Sequence, residues 1–379
     1  MKKLKIGVAG LGRAFAVMSP AFSDPRVELV AAADPRPEAL EKFKKDHGGR
    51  VYPTVEGLCT DPAVDVVYVA TPHQFHAPYA CLAASKGKHV LVEKPMALTL
   101  EDCRAMIEAA RKTGVQLVVG HSHSFDAPIL KARELIRSGA YGPVRMITAL
   151  DFTDFLYRPR RPEELSTGAG GGVLYNQAAH QVDIVRLLAG SKVRSVRAFT
   201  GSWDPARPTE GAYSCQLSFE GGAFATLVYS GYAHFDSDEF MGWVGEMGQK
   251  KDPASYGMAR KALKGDEASL KNARNYGGPD FREVQAAAHQ HFGPIVVSCE
   301  KADLRPLPSG VMIYGDAEQR LDPLQPPKVA RAEVIDELYG AVAEGRAPLH
   351  SGEWAMATLE VCLAMLESAR QGRSVDLRP

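Results

Sequence analysis

The sequence predicts an α/β protein with two domains: a doubly wound parallel sheet, followed by an α+β domain built on a largely antiparallel open sheet. Three observations lead to this fold class. The chain has 379 residues, which is long for a single hydrophobic core. Its first third alternates β-branched runs with helical stretches, whereas the order after about residue 122 is rich in strands. We therefore expect one domain over residues 1–123 and a second over residues 124–379.

The first domain contains five apolar runs that are typical of strands covered by helices on both faces. They lie at residues 4–9, 29–33, 65–70, 89–93 and 116–120. A helix is expected between the last two, because Thr99 and Asp102 resemble a capping box and Gly114 is a typical helix end. Parallel strands that alternate with helices are expected to form one doubly wound sheet.

The second domain has a different pattern. A helix is predicted over 127–138, and a glycine-rich loop at 168–172 is expected to open another helix that contains His180. The predicted strands lie at residues 144–150, 193–200, 213–219 and 223–230. Residues 245–280 look like an insertion with a weak helix over 254–263, and a long helix is predicted over 353–370. Strands that follow one another in this way favour an antiparallel open sheet.

Charge and composition exclude several classes of partner. The chain has 45 basic and 45 acidic side chains, a balance that argues against nucleic acid or an anionic membrane as a partner. No apolar run approaches the roughly 18 residues of a membrane span. The six cysteines show no paired spacing, so we expect neither a disulfide framework nor a zinc site, and we expect a cytoplasmic protein.

A glycine-rich turn follows the first predicted strand. Gly10 and Gly12 end the run IGVAGLG, and Arg13 and Ala14 begin the next helix. Such a turn lets the backbone approach a pyrophosphate, as in a Rossmann domain. The third glycine of the usual fingerprint is replaced by Phe15, so the strand before and the helix after the turn carry the interpretation.

An acid at the end of the second strand supports a dinucleotide. Asp34 lies 24 positions after Gly10, close to the spacing expected for a carboxylate that binds the adenosine ribose. A carboxylate there favours NAD, because it would repel the 2′-phosphate of NADP. Arg36 is the complication, since an arginine can accept that phosphate. We expect NAD, with NADP as the weaker alternative.

Polar groups also follow the later strands of the first domain, at the sheet edge where open α/β folds bind ligands. Thr71, Pro72 and His76 follow one strand, and Glu93 and Lys94 end the next. A lysine before a proline is usually a solvated turn residue. Its position directly after an apolar strand favours a functional role instead.

These motifs together resemble the Gfo/Idh/MocA oxidoreductases. The similarity rests on GLGR near the start, TPHQFH, EKP, the glycine-rich loop before His180, and GRSVDL near the end. It implies that Lys94 and His180 are catalytic and that the protein is a homodimer or homotetramer. Where the family has aspartate four residues before the histidine, this chain has Asn176. The dinucleotide is expected to contact Gly10, Gly12, Arg13, Ala14, Asp34, Arg36, Thr71, Pro72, His76, Glu93 and Lys94.

Longer strings resemble a narrower branch of that family, which oxidises the 4,5-cis-dihydrodiol of phthalate with NAD. They include DFLYRPRRPEELST at residues 154–167 and GEMGQKKDPASYG at residues 245–257. The resemblance implies a small acidic cyclic diol as the substrate. The arginines of the first string suit ring carboxylates, although Glu163 and Glu164 would also fit a solvated basic loop. The expected substrate-binding residues are His123, Arg158, Arg160, Arg161, Asn176 and His180.

Three alternatives remain at this stage. His121 and His123 have the spacing of metal ligands, but no carboxylate or cysteine stands close by, and hydride transfer needs no metal, so no metal is expected. A sugar or inositol dehydrogenase of the same family is the nearest alternative function. A catalytically silent dinucleotide-binding regulator is the alternative of another class, and the presence of both Lys94 and His180 argues against it.

Overall fold

The computed structural model describes residues 3–282 and 286–377, which form two compact units. Unit 1 contains the described residues of Met1–His121, Ala268–Glu283 and Val329–Leu359. Unit 2 contains those of Ser122–Glu267, Val284–Lys328 and Glu360–Pro379. The two units therefore alternate along the chain, and unit 1 includes two later segments as well as the N-terminal third.

Unit 1 is built on a six-stranded parallel sheet, as predicted. The strand order is β3-β2-β1-β4-β5-β6. All strands are parallel, but successive strands are added on one side of β1 up to β3 and on its other side from β4 onward, so the order of the strands reverses between β1 and β4. Ligands bind at such a reversal in open α/β sheets. Sequence patterning missed β3, because three residues carry no readable periodicity. The strands are β1 (Leu4–Ala9), β2 (Val27–Ala33), β3 (Arg50–Tyr52), β4 (Val66–Val69), β5 (His89–Val92) and β6 (Leu117–Val119).

Within the described residues there are eleven α-helices. The predicted cap at Thr99 is confirmed, since its hydroxyl accepts from the Asp102 amide at 3.1 Å and Gly114 ends that helix in the left-handed region. The helices are α1 (Arg13–Met18), α2 (Pro37–His47), α3 (Val55–Thr60), α4 (His76–Ser85), α5 (Leu100–Thr113), α6 (Ala127–Arg137), α7 (Ala179–Ala189), α8 (Met258–Ala262), α9 (Glu267–Ala273), α10 (Ala332–Ala343) and α11 (Gly352–Gln371).

Unit 2 is built on a nine-stranded sheet that is antiparallel except for the pair β7 and β10. Its largely antiparallel character is as predicted. The later strands were not predicted, because β12 contains Pro306 and β14 lies almost entirely exposed. The strands are β7 (Val144–Phe152), β8 (Val193–Gly201), β9 (Ala212–Phe219), β10 (Phe224–Ser230), β11 (Ile295–Cys299), β12 (Asp303–Leu307), β13 (Gly310–Tyr314), β14 (Gln319–Pro323) and β15 (Val375–Asp376).

The core of unit 2 explains why His180 is held firmly. α7 packs on β7 and β10, and its residues from Ala179 to Leu188 are all buried. A single π-helical turn, Leu174–Ala178, leads into α7 and contains Asn176. The predicted helix over 254–263 is only partly present, as the five-residue α8. Among the described residues, no helix is both long and apolar enough to cross a bilayer.

Candidate active site

The glycine turn of unit 1 has the geometry that a dinucleotide requires. Gly10 has a φ of +94°, and a Cβ there would lie 2.9 Å from the Ala70 carbonyl oxygen. Glycine, which has no Cβ, avoids both the strain of a positive φ and the close contact with that oxygen. At Gly12 a Cβ would meet no atom within 4 Å, so the space above the turn is open. Phe15, in place of the third glycine, is buried and contacts the Tyr276 ring edge-on at 5.0 Å.

Asp34 supports the turn from the end of β2. Its Oδ2 accepts from the Leu11 amide at 2.7 Å, which fixes the backbone between the two glycines. Its Oδ1 accepts from the Nε of Arg36 at 3.0 Å, and Arg36 also donates to the Leu11 carbonyl at 2.8 Å. The acid that was expected to bind ribose is therefore already paired with the arginine that complicates the choice of cofactor.

The ends of β4 and β5 bring the remaining unit 1 candidates to the same sheet edge. The His76 ring is buried, with Nε2 2.9 Å from the Thr71 carbonyl and Nδ1 2.8 Å from the Pro95 carbonyl. Burial lowers the pKa of His76. This ring therefore ties the two strand ends together, whether or not it also meets a cofactor. Lys94 is half-buried and lies two residues after the end of β5.

Two further polar groups lie at this edge of the sheet, the Thr71 hydroxyl and the Glu93 carboxylate. The Thr71 hydroxyl is buried, and in the described part of the chain it has no hydrogen-bond partner. Such an orphaned group normally has a ligand or water as its partner. Glu93 accepts from the Tyr68 hydroxyl at 2.6 Å. Together with the open glycine turn, the orphaned hydroxyl fits a bound dinucleotide. Arg13 is exposed, and Ala14 and Pro72 are half-buried, all at this edge.

His180 is the centre of the polar cluster of unit 2. It is 5% exposed, and its Nδ1 accepts from the His123 main-chain amide at 3.3 Å. A ring that accepts through Nδ1 carries its proton on Nε2 when neutral. The His123 and His180 rings meet edge to face at 4.7 Å, and Phe292 packs on His180 at 4.9 Å. This arrangement fixes both the tautomer and the orientation of His180.

Two carboxylates hold His123. Its Nδ1 lies 2.7 Å from Oδ2 of Asp126, and its Nε2 lies 3.5 Å from Oε1 of Glu246. Burial favours the neutral ring, but the two carboxylates outweigh it and raise the pKa of His123 to about 9. The pKa of Glu246 is held well below its usual range by Arg158 and His123 despite burial. His123 thus lies within a buried network of carboxylates and an arginine.

The three arginines of the predicted basic loop are used in different ways. Arg158 donates to Asp154 at 2.8 Å and to Glu246 at 3.1 Å, so carboxylates of the protein already occupy it. Arg160 donates to the Phe155 carbonyl at 2.7 Å and lies 3.7 Å from the centre of the Phe155 ring. Burial lowers its pKa to about 10.

Arg161 differs from the other two arginines. It has a long contact of 3.6 Å with Glu163, and its buried Nε has no hydrogen-bond partner in the described residues. Its main-chain amide donates to Glu164 at 2.9 Å, which holds the loop around it. Of the three predicted arginines, Arg161 therefore has the most donor capacity left for a carboxylate ligand.

Asn176 contacts the glycine-rich loop. Its Nδ2 donates to the Gly172 carbonyl at 2.8 Å and, more weakly, to that of Gly170 at 3.4 Å. Glu210 supports the same loop, because its carboxylate accepts from the Leu174 amide and from the Thr167 hydroxyl. The Asn176 side chain is thus an amide donor toward main-chain oxygens, a role that aspartate cannot fill.

Sequence reasoning missed several members of the unit 2 cluster. Asp126 stands three residues after His123, so the expectation that no carboxylate stands close to the two histidines was wrong: ligand atoms of His121, His123 and Asp126 lie within 4.8 Å of one another. Glu246 lies in the stretch that was interpreted as an insertion, and Phe292 carried no motif at all. Asp151 lies directly after the strand predicted over 144–150 and was not singled out, yet burial and the Glu246 charge raise its pKa to about 8. The Asp151 carboxylate accepts from the Ser237 hydroxyl at 2.8 Å.

Two family descriptions match consecutive parts of this chain. Residues 4–121 match the oxidoreductase family with an NAD-binding Rossmann fold, and residues 129–249 match the GFO/IDH/MocA C-terminal domain. The aldose-aldose oxidoreductase of Caulobacter crescentus, solved with glycerol, is 27% identical with a TM-score of 0.74. That match covers 99% of this chain and 100% of the other.

Two relatives match with higher identity. The 1-carboxy-3-chloro-3,4-dihydroxycyclo hexa-1,5-diene dehydrogenase of Comamonas testosteroni is 50% identical over 377 residues, which covers 97% of this chain and 95% of the relative. A solved structure from Bordetella bronchiseptica RB50 is 43% identical with a TM-score of 0.95, and covers 99% of this chain and 100% of that one. Identity at this level over nearly the whole length of the chain shows that it belongs to the Gfo/Idh/MocA oxidoreductases and is an NAD(P)-dependent dehydrogenase of that family.

Proposed function

We propose that this enzyme oxidises a carboxylated cyclohexadiene cis-diol to a catechol, with NAD as the hydride acceptor. One observation carries the proposal: the 50% identity, over 97% of this chain, to a dehydrogenase whose name specifies a carboxylated dihydroxycyclohexadiene. The sequence strings at 154–167 and 245–257 support the 4,5-cis-dihydrodiol of phthalate as one such substrate, with 4,5-dihydroxyphthalate as the product. The reaction would belong to the breakdown of aromatic acids.

The residues of each unit support distinct parts of this function. We assign cofactor binding to unit 1, where the Gly10 turn, Asp34 and the orphaned Thr71 hydroxyl suit a dinucleotide. We assign substrate binding to unit 2, where His180 and Arg161 offer donors to hydroxyl and carboxylate groups. NAD, when bound, supplies the hydride acceptor. The rest of the chemistry belongs to side chains of this chain.

We assign Lys94 as the base that removes the proton of the reacting hydroxyl. In its neutral form, Nζ takes that proton as the carbon gives up its hydride, and a C=O bond forms in place of the O–H and C–H bonds. His180 offers Nε2–H as a donor to a substrate oxygen, where it would stabilise developing negative charge. The ring product then loses a proton from carbon and gains one on oxygen, which gives the aromatic catechol. Aromatisation makes the reaction essentially irreversible.

Arginine recognition favours an acidic substrate over a neutral one. Arg161 keeps a buried Nε donor without a hydrogen-bond partner in the described chain, and a ring carboxylate would satisfy it. A neutral polyol gains little from such a donor. This is why a carboxylated diol is preferred here to a sugar or an inositol.

The experiment is a substrate panel with the purified protein. NAD and NADP would each be combined with the phthalate diol, the chlorinated monocarboxylated diol, an uncarboxylated cis-diol and myo-inositol, and the absorbance of reduced nicotinamide would be followed. The proposal requires the highest kcat/KM on a carboxylated diol with NAD. Faster turnover of inositol would replace it with the polyol alternative. Cofactor binding without turnover of any alcohol would indicate a regulator instead.

A further inference from the structure

An ion-pair chain in unit 2 surrounds His123 and lies next to His180. It runs from Asp126 through the His123 ring to Glu246, and Arg158 continues it from Glu246 at 3.1 Å. Both ring nitrogens of His123 face carboxylate oxygens. Two acceptors on one imidazole are satisfied together only when both nitrogens carry hydrogen. The geometry therefore selects the imidazolium form of His123.

The same histidine contacts His180 in two independent ways. Its main-chain amide donates to Nδ1 of His180 at 3.3 Å, and its ring lies 4.7 Å from the ring of His180. The amide contact fixes the tautomer, while the ring places a positive charge beside a second titratable ring. A like charge at that distance favours the neutral form of its neighbour.

We propose that Asp126 and Glu246 hold His123 as an imidazolium, and that His123 positions His180 as a neutral ring with its proton on Nε2. The inference rests on the proposed function, in which His180 donates from Nε2 to the substrate oxygen. His123 is thus a positioning residue that acts through His180. A carboxylate four residues before His180 could orient its ring, but this chain has Asn176 there. In the proposal, His123 orients the ring instead.

His121 places a ring nitrogen within 4.8 Å of ligand atoms of His123 and Asp126 but supplies no carboxylate, and the other charged groups near His123 do not alter this assignment. Arg158 neutralises much of the Glu246 charge, and burial lowers the pKa of His291, so that ring stays neutral beside His123. Burial also keeps Asp151 protonated up to a pKa of about 8 and raises the pKa of Asp238. Asp126 and Glu246 thus remain the carboxylates in contact with His123.

Nitrogen NMR of the protein labelled with ¹⁵N-histidine tests this without any substrate. Ring nitrogen shifts report protonation and tautomer directly, and the His180 and His123 signals are assigned by their loss in His180→Gln and His123→Gln. The wild-type protein should show His123 protonated on both nitrogens at neutral pH, and His180 neutral with hydrogen on Nε2. A neutral His123, or a His180 that carries its proton on Nδ1, would overturn the proposal.

The variant His123→Gln separates charge from tautomer, because it keeps the main-chain amide and removes only the charged ring. His180 should remain an Nε2–H tautomer, but its titration should move upward by about 1 to 2 pH units. The acid limb of kcat/KM should move with it. Asp126→Asn should give a shift in the same direction, since it removes the shorter of the two contacts that hold the charge. An unmoved His180 titration in both folded variants would refute the role of His123.

The matched control is Asp183→Asn. Asp183 is a buried carboxylate on α7 that accepts a hydrogen bond from the Ser124 hydroxyl. It should cost stability and leave the His180 titration in place. A His180 shift in this control equal to that in Asp126→Asn would contradict the specific pairing. Because the spectra need no diol, failure of this inference is distinguishable from a wrong choice of substrate.

Discussion

Arg36 donates from Nε to Oδ1 of Asp34 across 3.0 Å, so the acid at the end of β2 carries its own countercharge. Arg36 also donates to the Leu11 carbonyl, so its guanidinium is engaged by the glycine turn as well as by Asp34. Removing the acid frees the arginine. The choice between NAD and NADP is thus expected to depend on this one ion pair.

Asp34→Ser should shift cofactor preference toward NADP. The ratio of kcat/KM for NAD to that for NADP is expected to fall by about tenfold or more, since a charged hydrogen bond is lost and another is gained. Steady-state kinetics with both cofactors measure it. The double variant Asp34→Ser/Arg36→Ala is the control and should lose the gain with NADP. Equal use of both cofactors by the unmodified enzyme would contradict the assignment.

Lys94→Ala should reduce turnover and leave cofactor binding largely intact. The loss of a positioned acid–base group is expected to lower kcat by about 10²–10⁴-fold. Turnover and the NAD dissociation constant are measured on the same preparation. Lys86→Ala is the control, because Lys86 is an exposed lysine at the end of α4. Near-normal kcat in Lys94→Ala would leave His180 as the leading base.

Much of the fold could be predicted from local patterns, and the reasons are specific. β4 and β5 are short valine-rich runs covered on both faces, a pattern typical of strands in a parallel sheet. β12 and β14 gave no such signal, because a proline interrupts one and the other is exposed. Their place in the sheet depends on β13, which pairs with both.

Candidate site residues could be proposed from the sequence only where a motif marks them. Lys94 and His180 belong to recognisable strings, whereas Glu246 reaches Arg158 from 88 residues away along the chain. A contact between distant segments leaves no local pattern in a single sequence. The three arginines were treated as equivalent for the same reason. Their different partners depend on Glu246 and on a main-chain carbonyl, neither of which sequence spacing reveals.

Arg161→Ala should raise KM for a carboxylated diol more than the same change at an arginine already paired elsewhere. An increase of at least about tenfold is expected, because the substrate charge would lose a paired donor. Arg161→Lys should recover only part of the loss, since lysine cannot form the bidentate contact. An uncarboxylated diol should be little affected.

Two other arginines serve as controls for that prediction. Arg145→Ala removes an exposed side chain whose partner Glu300 is 3.6 Å away, and KM should not change. Arg158→Ala should instead lower the unfolding temperature, because Asp154 and Glu246 would each lose a cationic partner. A KM effect confined to Arg158, with Arg161→Ala unaffected, would reverse the assignment.

Asn176→Asp, which introduces the family's usual residue, should weaken the enzyme. The Nδ2 donation to the Gly172 carbonyl at 2.8 Å would become a contact between a carboxylate oxygen and a carbonyl oxygen. We expect a loss of about 1–3 kcal/mol in unfolding free energy, and a lower kcat. Denaturant unfolding and turnover measure both. Asn176→Ser, which keeps a donor, should retain more stability than the aspartate variant, and a gain in kcat for Asn176→Asp would contradict the loop contact.

Asp151→Asn should change how stability depends on pH. The pKa of Asp151 is raised to about 8 in the folded protein, mainly by burial, whereas an unfolded aspartate titrates near 3.9. Between these values the folded state keeps a proton that the unfolded state releases, so this group lowers stability progressively as the pH rises. Its stabilising contribution is fully present below pH about 4 and is lost toward pH 8, at no more than about 1.4 kcal/mol per pH unit.

The asparagine variant removes that dependence and keeps an acceptor for the Ser237 hydroxyl, which lies 2.8 Å from the Asp151 carboxylate. Denaturant unfolding at pH 5, 6, 7 and 8 should therefore show the variant gaining on the wild-type protein with each step upward. Asp316→Asn, an exposed acid on the turn after β13, should show no such trend. Because every other titrating group is common to the two proteins, their contributions cancel in the difference. A difference between variant and wild type that stays constant from pH 5 to pH 8 would mean that Asp151 ionises normally despite its burial.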